Sequence, residues 1–138
     1  MDCIFCKITK KEVPAEIIYE DAKTIAFLDI SPVHPGHALV ISKQHHPTMI
    51  ETPDDTACHM ISVAKKVASA VINATNAQGI NFGINNGAAA GQVIFHTHYH
   101  VIPRFNNDGL RMWPQQKYQE GQMKTVAQRI VEELKNNS

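Results

Sequence analysis

Three histidines recur at every second position within an apolar, β-branched and aromatic run. They are His96, His98 and His100, inside the segment 93–103. Successive side chains of a β-strand point to opposite faces, so the spacing predicts three imidazoles on one face, about 6.5–7 Å apart. An exposed polar face on an edge strand would explain them without any chemistry. Three adjacent imidazoles favour chemistry instead, either a metal site or a nucleophile with its supporting groups.

A second candidate site is a C-x-x-C motif formed by Cys3 and Cys6 in a predicted first helix over 2–11. At i and i+3 the two thiols lie on one side of a helical turn and could share a tetrahedral ion. Such an ion needs two more ligands, and the residues alone offer several histidines. These candidates are His34, His37, His45 and His46. A thiol pair without metal and a redox-active C-x-x-C are the alternatives.

The segment 85–92, Asn-Asn-Gly-Ala-Ala-Ala-Gly-Gln, directly precedes the histidine run. Its glycines allow positive φ and let backbone N–H groups approach a ligand. A neutral imidazole is a good nucleophile near pH 7 if one ring nitrogen keeps its proton and the other faces the target. The loop and a third histidine are suited to hold an anionic group. Together they favour attack on phosphorus, where catalysis is mostly positioning and charge stabilisation.

The elements that must position these groups follow from turn residues and hydrophobic periodicity. A loop with two prolines and a glycine occupies 31–36, and a long amphipathic helix over 53–78 has Thr52 as its N-cap and Gly79 as its terminator. The predicted strands are 17–21, 24–29, 37–42, 80–84 and 93–103, and a last amphipathic helix covers 123–134.

This order predicts an α+β fold, in which an antiparallel sheet of about five strands carries a long central helix, a short N-terminal helix and a C-terminal helix. One domain is expected over 1–138, with a core of about 3–103 and a C-terminal segment at 104–138.

Composition limits the partners of the chain. Thirteen basic and thirteen acidic residues cancel, so no overall field recruits nucleic acid or an anionic membrane. No apolar stretch approaches the ~20 residues of a membrane span, and the N-terminus lacks the pattern of a signal peptide. Three cysteines in a chain without an export signal indicate reduced thiols. We therefore expect a cytoplasmic protein.

These motifs, taken in order, resemble the histidine triad family of nucleotide hydrolases and transferases. The resemblance covers 3–103, and its bacterial Hint-type branch is the most similar. The larger transferases have glutamine at the position of His100, so the histidine here resembles the hydrolases of the family. The matching segments are the C-x-x-C, 13–15, 26–32, 36–41, 85–92 and the H-x-H-x-H run with the two apolar residues after it.

The resemblance implies a purine nucleotide substrate, either a nucleoside phosphoramidate or a dinucleoside polyphosphate, cleaved at its α-phosphate. The implied nucleophile is His98, which forms a covalent nucleotidyl-histidine that water then hydrolyses. His100 is implied to contact the phosphate and His37 to support the site from behind. The implied nucleotide contacts are Ile8, Phe27 and Ile30 around the base, Asp29 on the ribose, and Asn85, Gln92, Val93 and His100 near the phosphate.

One residue departs from the family pattern. Val93 stands where many relatives have a serine whose hydroxyl is thought to assist the leaving group. A valine offers only its backbone N–H, so the departure keeps open a non-enzymatic nucleotide-binding or interaction protein. A third possibility is a zinc hydrolase in which His96, His98 and another histidine bind a catalytic ion.

The resemblance implies two further features, a structural metal ion and a dimer. The ligands in zinc-binding relatives match Cys3, Cys6, His45 and His96, which implies a structural zinc and no organic cofactor. Relatives are homodimers with a continuous sheet across the two-fold axis, so a homodimer is expected.

Overall fold

A five-stranded antiparallel sheet forms the framework of the computed structural model, which describes residues 2–137. The sheet has the order β1-β2-β3-β5-β4. Its strands are β1 (Ile17–Glu20), β2 (Thr24–Leu28), β3 (Ala38–Ser42), β4 (Gly79–Gly83) and β5 (His98–Arg104). The helices are α1 (Ile4–Thr9), α2 (Asp54–Thr75) and α3 (Gln122–Asn136), with a 3-10 turn at Ala88–Ala90. The α+β prediction is confirmed.

The central strands β2 and β3 are buried on both faces, which explains their almost uninterrupted apolar sequences. One face packs under α2, and the other packs against α1. The α2 side contains Ala26, Val40, Val63, Val67, Val71 and Val101. The α1 side contains Phe5, Ile8, Ile25, Phe27, Leu39 and Ile41. The sheet is therefore covered on both sides, and the α1 side carries the histidines described below.

The predicted start of the long helix is wrong by one residue and its predicted end by three. Pro53 takes the N-cap position, and the Thr52 hydroxyl instead donates to the Thr48 carbonyl at 2.8 Å. The helix ends at Asn76, whose left-handed backbone (φ 57°) terminates it three residues before Gly79. Asparagine tolerates this conformation better than most residues do, so no glycine is needed. Gly79 begins β4 instead.

The histidine strand begins later than predicted. β5 starts at His98, so His96 lies outside it, and Phe95 is 45% exposed. From His98 onward the expected alternation holds. His98 pairs with Ile41 and His100 pairs with Leu39, which places both histidines on the α1 side.

The chain divides after Asp108 into two compact units. The second unit contains α3, and most of its apolar side chains are exposed within the described residues. They include Met123, Ile130, Val131 and Leu134. In the part of the chain that the structure describes, no helix has the length and apolar character required to cross a membrane. The expectation of a single domain stays a prediction.

Candidate active site

A pocket of about 530 Å³ opens on the α1 side of the sheet, next to the two histidines of β5. His98 and His100 line it together with the loop after β2 and the glycine-rich loop. Its walls are mostly apolar. They include Ile4, Phe5, Ile8, Val13, Pro14, Ala15, Phe27, Leu28, Leu39 and Ile94. Apolar walls and two histidines therefore share one cavity.

His98 presents an unprotonated nitrogen to this pocket. Its Nδ1 is 2.7 Å from the His96 carbonyl oxygen, which can only accept, so Nδ1 carries the proton and donates. Burial lowers the pKa of His98, although the His96 carbonyl and the Asp29 carboxylate act in the opposite direction. The ring is therefore neutral at pH 7, and Nε2 keeps its lone pair. Phe5 packs edge-on against the ring at 5.1 Å and fixes its plane.

A chain of hydrogen bonds defines the tautomers of His37 and His100. The Val33 backbone N–H donates to His37 Nδ1 at 3.0 Å, so the His37 proton is on Nε2. His37 Nε2 donates to His100 Nδ1 at 2.9 Å and lies 3.7 Å from Asp29 Oδ2. His100 therefore carries its own proton on Nε2, the nitrogen left available to a ligand.

His100 is suited to donate a hydrogen bond rather than a proton. Burial lowers its pKa to about 4, and the neighbouring His98 and His37 add to that effect. Burial also lowers the pKa of His37. Loss of the Nε2 proton from a neutral ring would leave an imidazolate, which is too basic to persist near pH 7. His100 thus offers a fixed Nε2–H donor to the pocket.

Most of the predicted nucleotide-binding residues lie on the pocket. Ile8 and Phe27 are buried and serve both the core and the pocket wall. Ile30 is 96% exposed and Val93 is 85% exposed, so both stand at the rim. Asp29 and Asn85 also line the cavity, and Asp29 Oδ1 accepts the Ser31 backbone N–H at 2.8 Å.

Gln92 differs from the other predicted contacts because it does not line this pocket. Its side chain is 4% exposed, and its amide is used inside the protein. Oε1 accepts the Gly87 N–H at 2.9 Å, while Nε2 donates to the carbonyls of Pro47 (2.6 Å) and Ile94 (3.1 Å). The structure therefore gives Gln92 the role of bracing the glycine-rich loop.

Cys3, Cys6, His45 and His96 form one compact ligand cluster, with ligand atoms within 4.8 Å of one another. Nδ1 of His96 is 3.5 Å from Cys3 Sγ, 3.6 Å from Cys6 Sγ and 3.2 Å from His45 Nδ1. Cys6 Sγ is 3.3 Å from His45 Nδ1. Zinc bonds of about 2.0–2.3 Å give tetrahedral edges of roughly 3.3–3.8 Å. The donor set and its spacing fit a zinc ion.

His96 is prepared for that role by a backbone contact. Its Nε2 lies 2.7 Å from the Ser42 carbonyl and must donate to it, which leaves Nδ1 unprotonated toward the two thiols. The same residue orients His98 through its own carbonyl. Among the described residues, the candidate ligand clusters do not include His98, so His96 and His98 do not share an ion site.

Sequence reasoning missed several groups that define this geometry. Phe5 contacts His98, the Val33 amide sets the tautomer of His37, and the Ser42 carbonyl sets that of His96. The two backbone groups have no signal in the sequence, because every residue type supplies them. Of the four histidines considered for the metal, His45 joins the cluster, whereas His34 contacts Asp108 and His37 contacts His100. His46 Nε2 is buried without a hydrogen-bond partner in the structure.

The lowered pKa of His100 predicts acid sensitivity of the fold. The unfolded chain takes up a proton below an ordinary pKa of about 6.5, whereas folded His100 stays neutral to about 4. The stabilisation that results from the lowered pKa of His100 is thus complete above pH 6.5 and is lost as pH falls toward 4. Between pH 7.5 and 5.0, wild type should lose about 1–2 kcal/mol more unfolding free energy than His100→Gln, as measured by urea denaturation. Equal losses would contradict this assignment. The Cys3, Cys6, His45 and His96 cluster is the same in both proteins, so its own pH dependence cancels in the difference between the two losses.

Comparison with known proteins agrees with this geometry. The HIT domain model matches residues 10–107. An adenylylsulfatase of Arabidopsis thaliana is 47% identical over 109 residues, which is 79% of this chain and 55% of that protein. The chain thus spans about half the length of this relative. An adenosine 5'-monophosphoramidase of Schizosaccharomyces pombe is 37% identical over 137 residues, 98% of this chain and 100% of that protein.

A solved structure adds a likeness in three dimensions. The zinc-bound histidine triad family protein of Mycobacterium smegmatis has a TM-score of 0.77 and 35% identity, covering 100% of this chain and 99% of that one. The five-stranded sheet, its helices and the paired strand histidines define a histidine triad domain. The chain belongs to the histidine triad (HIT) family, and its likeness to the bacterial Hint-type branch is consistent with these matches.

Proposed function

We propose that this protein hydrolyses a purine nucleoside phosphoramidate at its α-phosphate through a covalent intermediate on His98. The observation that carries the proposal is the His98–His96 hydrogen bond. It holds the proton on Nδ1 and leaves an unprotonated Nε2 at a pocket sized for a nucleotide. The names of the two relatives above, an adenylylsulfatase and an adenosine 5'-monophosphoramidase, support a nucleotide hydrolase in general.

In the first step, His98 Nε2 attacks phosphorus and forms the N–P bond. The P–N bond of the substrate breaks, and the leaving nitrogen takes a proton from water to depart as an amine. The His96 carbonyl accepts the Nδ1–H and stabilises the positive charge that develops on the ring. His100 Nε2–H donates to a phosphoryl oxygen and keeps its proton.

In the second step, water attacks phosphorus and breaks the N–P bond. The products are the nucleoside monophosphate and free His98, and the water proton goes to solvent. Asp29 accepts hydrogen bonds from the ribose hydroxyls in this proposal, and its position on the pocket wall near His37 supports that role. Ile8 and Phe27 supply the apolar slot for the base.

The charge of the pocket favours a phosphoramidate over a dinucleoside polyphosphate. Among the described residues that line the pocket, none is lysine or arginine, and Asp29 is the one carboxylate. A polyphosphate chain would bring several negative charges against apolar walls with no cation to pair them. A phosphoramidate brings a single negative charge, and the backbone N–H groups of the glycine-rich loop and the His100 N–H suffice for that charge.

A substrate panel tests this proposal. We expect kcat/KM for adenosine and guanosine 5'-phosphoramidates to exceed that for diadenosine tri- and tetraphosphate by about 100-fold. Release of nucleoside monophosphate is followed by chromatography at fixed enzyme concentration. A preference for the polyphosphates, or no turnover of any compound in the panel, would contradict the proposal.

One observation favours a second candidate, a protein that binds nucleotides without turning them over. The Val93 side chain at the pocket rim is 85% exposed and offers no hydroxyl to a leaving group. Tight binding of AMP by calorimetry, together with no turnover in the same panel, would favour that function. Backbone N–H groups stabilise anionic phosphorus without a side chain, and for this reason we propose the enzyme.

We also propose that the Cys3, Cys6, His45 and His96 cluster holds a structural zinc ion and that the protein is a cytoplasmic homodimer. The ligand spacing supports the zinc ion. The edge position of β4 supports a dimer, because its outer backbone groups are available to pair with a second sheet. Light scattering of the purified protein would measure the number of chains per particle.

A further inference from the structure

The loop between β2 and β3, residues 29–37, carries both Asp29 and His37. The two ends of the loop are joined by a hydrogen bond from the Asp29 N–H to the His37 carbonyl at 2.9 Å. A second hydrogen bond, from the His37 N–H to the His34 carbonyl at 3.0 Å, forms a turn before β3. Gly36 packs so tightly on α2 that a Cβ there would lie 2.7 Å from Thr75 Cγ2. By contrast, the side chains of 30–33 are exposed. The outer half of the loop therefore needs an anchor beyond its own packing.

His34 supplies a contact from this outer half to the end of the histidine strand. Its Nε2 is 3.1 Å from Asp108 Oδ2, and its ring stands edge-on to Phe105 at 5.3 Å. The Asp108 side chain is only 5% exposed. Its carboxylate accepts hydrogen bonds from Arg104 Nε at 2.7 Å and Nη2 at 3.0 Å. Because Arg104 is the last residue of β5, this ion pair joins the loop to the strand that carries His98 and His100.

We propose that His34 is a positioning residue for the reaction. Clamped by Asp108 to the end of β5, it holds the loop so that Asp29 and the His37–His100 hydrogen bond keep their geometry. Val33, its neighbour in the chain, donates the N–H that sets the His37 tautomer. A loop shift of about 1 Å would break a hydrogen bond of 2.9 Å, because such bonds weaken steeply beyond about 3.2 Å. This inference rests on the proposed function.

The competing explanation is that the His34–Asp108 pair contributes only to stability, and by the small amount typical of partly exposed pairs. Two substitutions separate these roles. His34→Leu removes the donor to Asp108, whereas His34→Gln keeps an N–H donor of similar reach. We expect His34→Leu to lower kcat/KM for an adenosine phosphoramidate about tenfold, mainly through KM, and His34→Gln to stay within about twofold.

A double-mutant cycle with Asp29→Asn provides the readout that a purely structural role would not move. If His34 acts through the loop, His34→Leu should cost less than about threefold once Asp29 is already neutral. Nitrogen NMR of the rings should report an Nε2–H tautomer for His37 in wild type and tautomer exchange in His34→Leu. Equal fold-changes in both backgrounds, or unchanged ring spectra, would overturn the proposal.

AMP affinity, measured by calorimetry on the same variants, separates this inference from the proposed function. A wild-type protein that binds AMP but cleaves no phosphoramidate contradicts the proposed activity alone. A tenfold weaker binding of AMP by His34→Leu would then still support the clamp. If His34→Leu and wild type bind AMP equally, the clamp is wrong whatever the activity.

Discussion

Replacing His98 with asparagine should reduce phosphoramidate turnover by about 10³-fold or more, while the protein stays folded. Asparagine keeps an N–H that can donate to the His96 carbonyl, but it has no nitrogen lone pair available for phosphorus. The measurement is kcat in a continuous assay with a nucleoside phosphoramidate. After a rapid acid-free quench, mass spectrometry should find a nucleotidyl adduct on His98 in wild type and none in the variant.

His59 offers a matched control for the loss of one imidazole. It lies on α2, where its Nε2 contacts Asp21 at 2.7 Å, and it does not line the pocket. His59→Asn should keep turnover within about twofold and lose about 1 kcal/mol of stability through the Asp21 contact. Full activity in His98→Asn, or an adduct on a residue other than His98, would rule out the covalent mechanism.

The double substitution Cys3→Ser, Cys6→Ser should abolish zinc binding and lower the melting temperature by about 10 °C. The cluster joins α1 to the chain around Ser42 and His96, so its loss removes about 3 kcal/mol of stability or more. Elemental analysis should give one zinc per wild-type chain and none in the variant. In calorimetric melts, a chelator should lower the melting temperature of wild type toward that of the variant.

Cys58 is the natural control, because it is an exposed cysteine on α2 outside the cluster. Cys58→Ser should keep both the zinc and the melting temperature. Well below the melting temperature, chelation should leave most of the turnover intact. A rate that falls in proportion to zinc content would instead show that the ion takes part in the reaction. A wild-type protein without zinc, melting like the double variant, would show that the cluster binds no metal.

The order of elements and the role of the central strands follow from sequence because burial imposes a clear pattern. β2 and β3 are apolar except for Thr24 and Ser42 at one end of each, and the fold buries both of their faces. The alternation of His98 with Tyr99 and of His100 with Val101 also survives in β5. In these strands the local sequence pattern and the tertiary packing favour the same conformation, so the pattern predicts the structure correctly.

Failures occur where a tertiary hydrogen bond overrides the local pattern. Continued alternation would put His96 in the strand, but its ring instead bonds to Ser42, 54 residues earlier in the chain. The Gln92 side chain likewise bonds to backbone atoms, those of Gly87 and Pro47, and its expected phosphate contact stays a prediction. Neither contact has a sequence signal, since both partners use backbone atoms. The tautomers of His37 and His96 were hidden for the same reason.

The absence of lysine and arginine from the described pocket lining affects how substrate arrives. Long-range attraction between opposite charges speeds encounter in many nucleotide enzymes, and dissolved ions weaken that attraction. Here the chain has no net charge, and no lysine or arginine among the described residues of the cavity would steer an anion from a distance. Capture then depends on short-range contacts alone. The association rate should be ordinary in size and nearly indifferent to ionic strength.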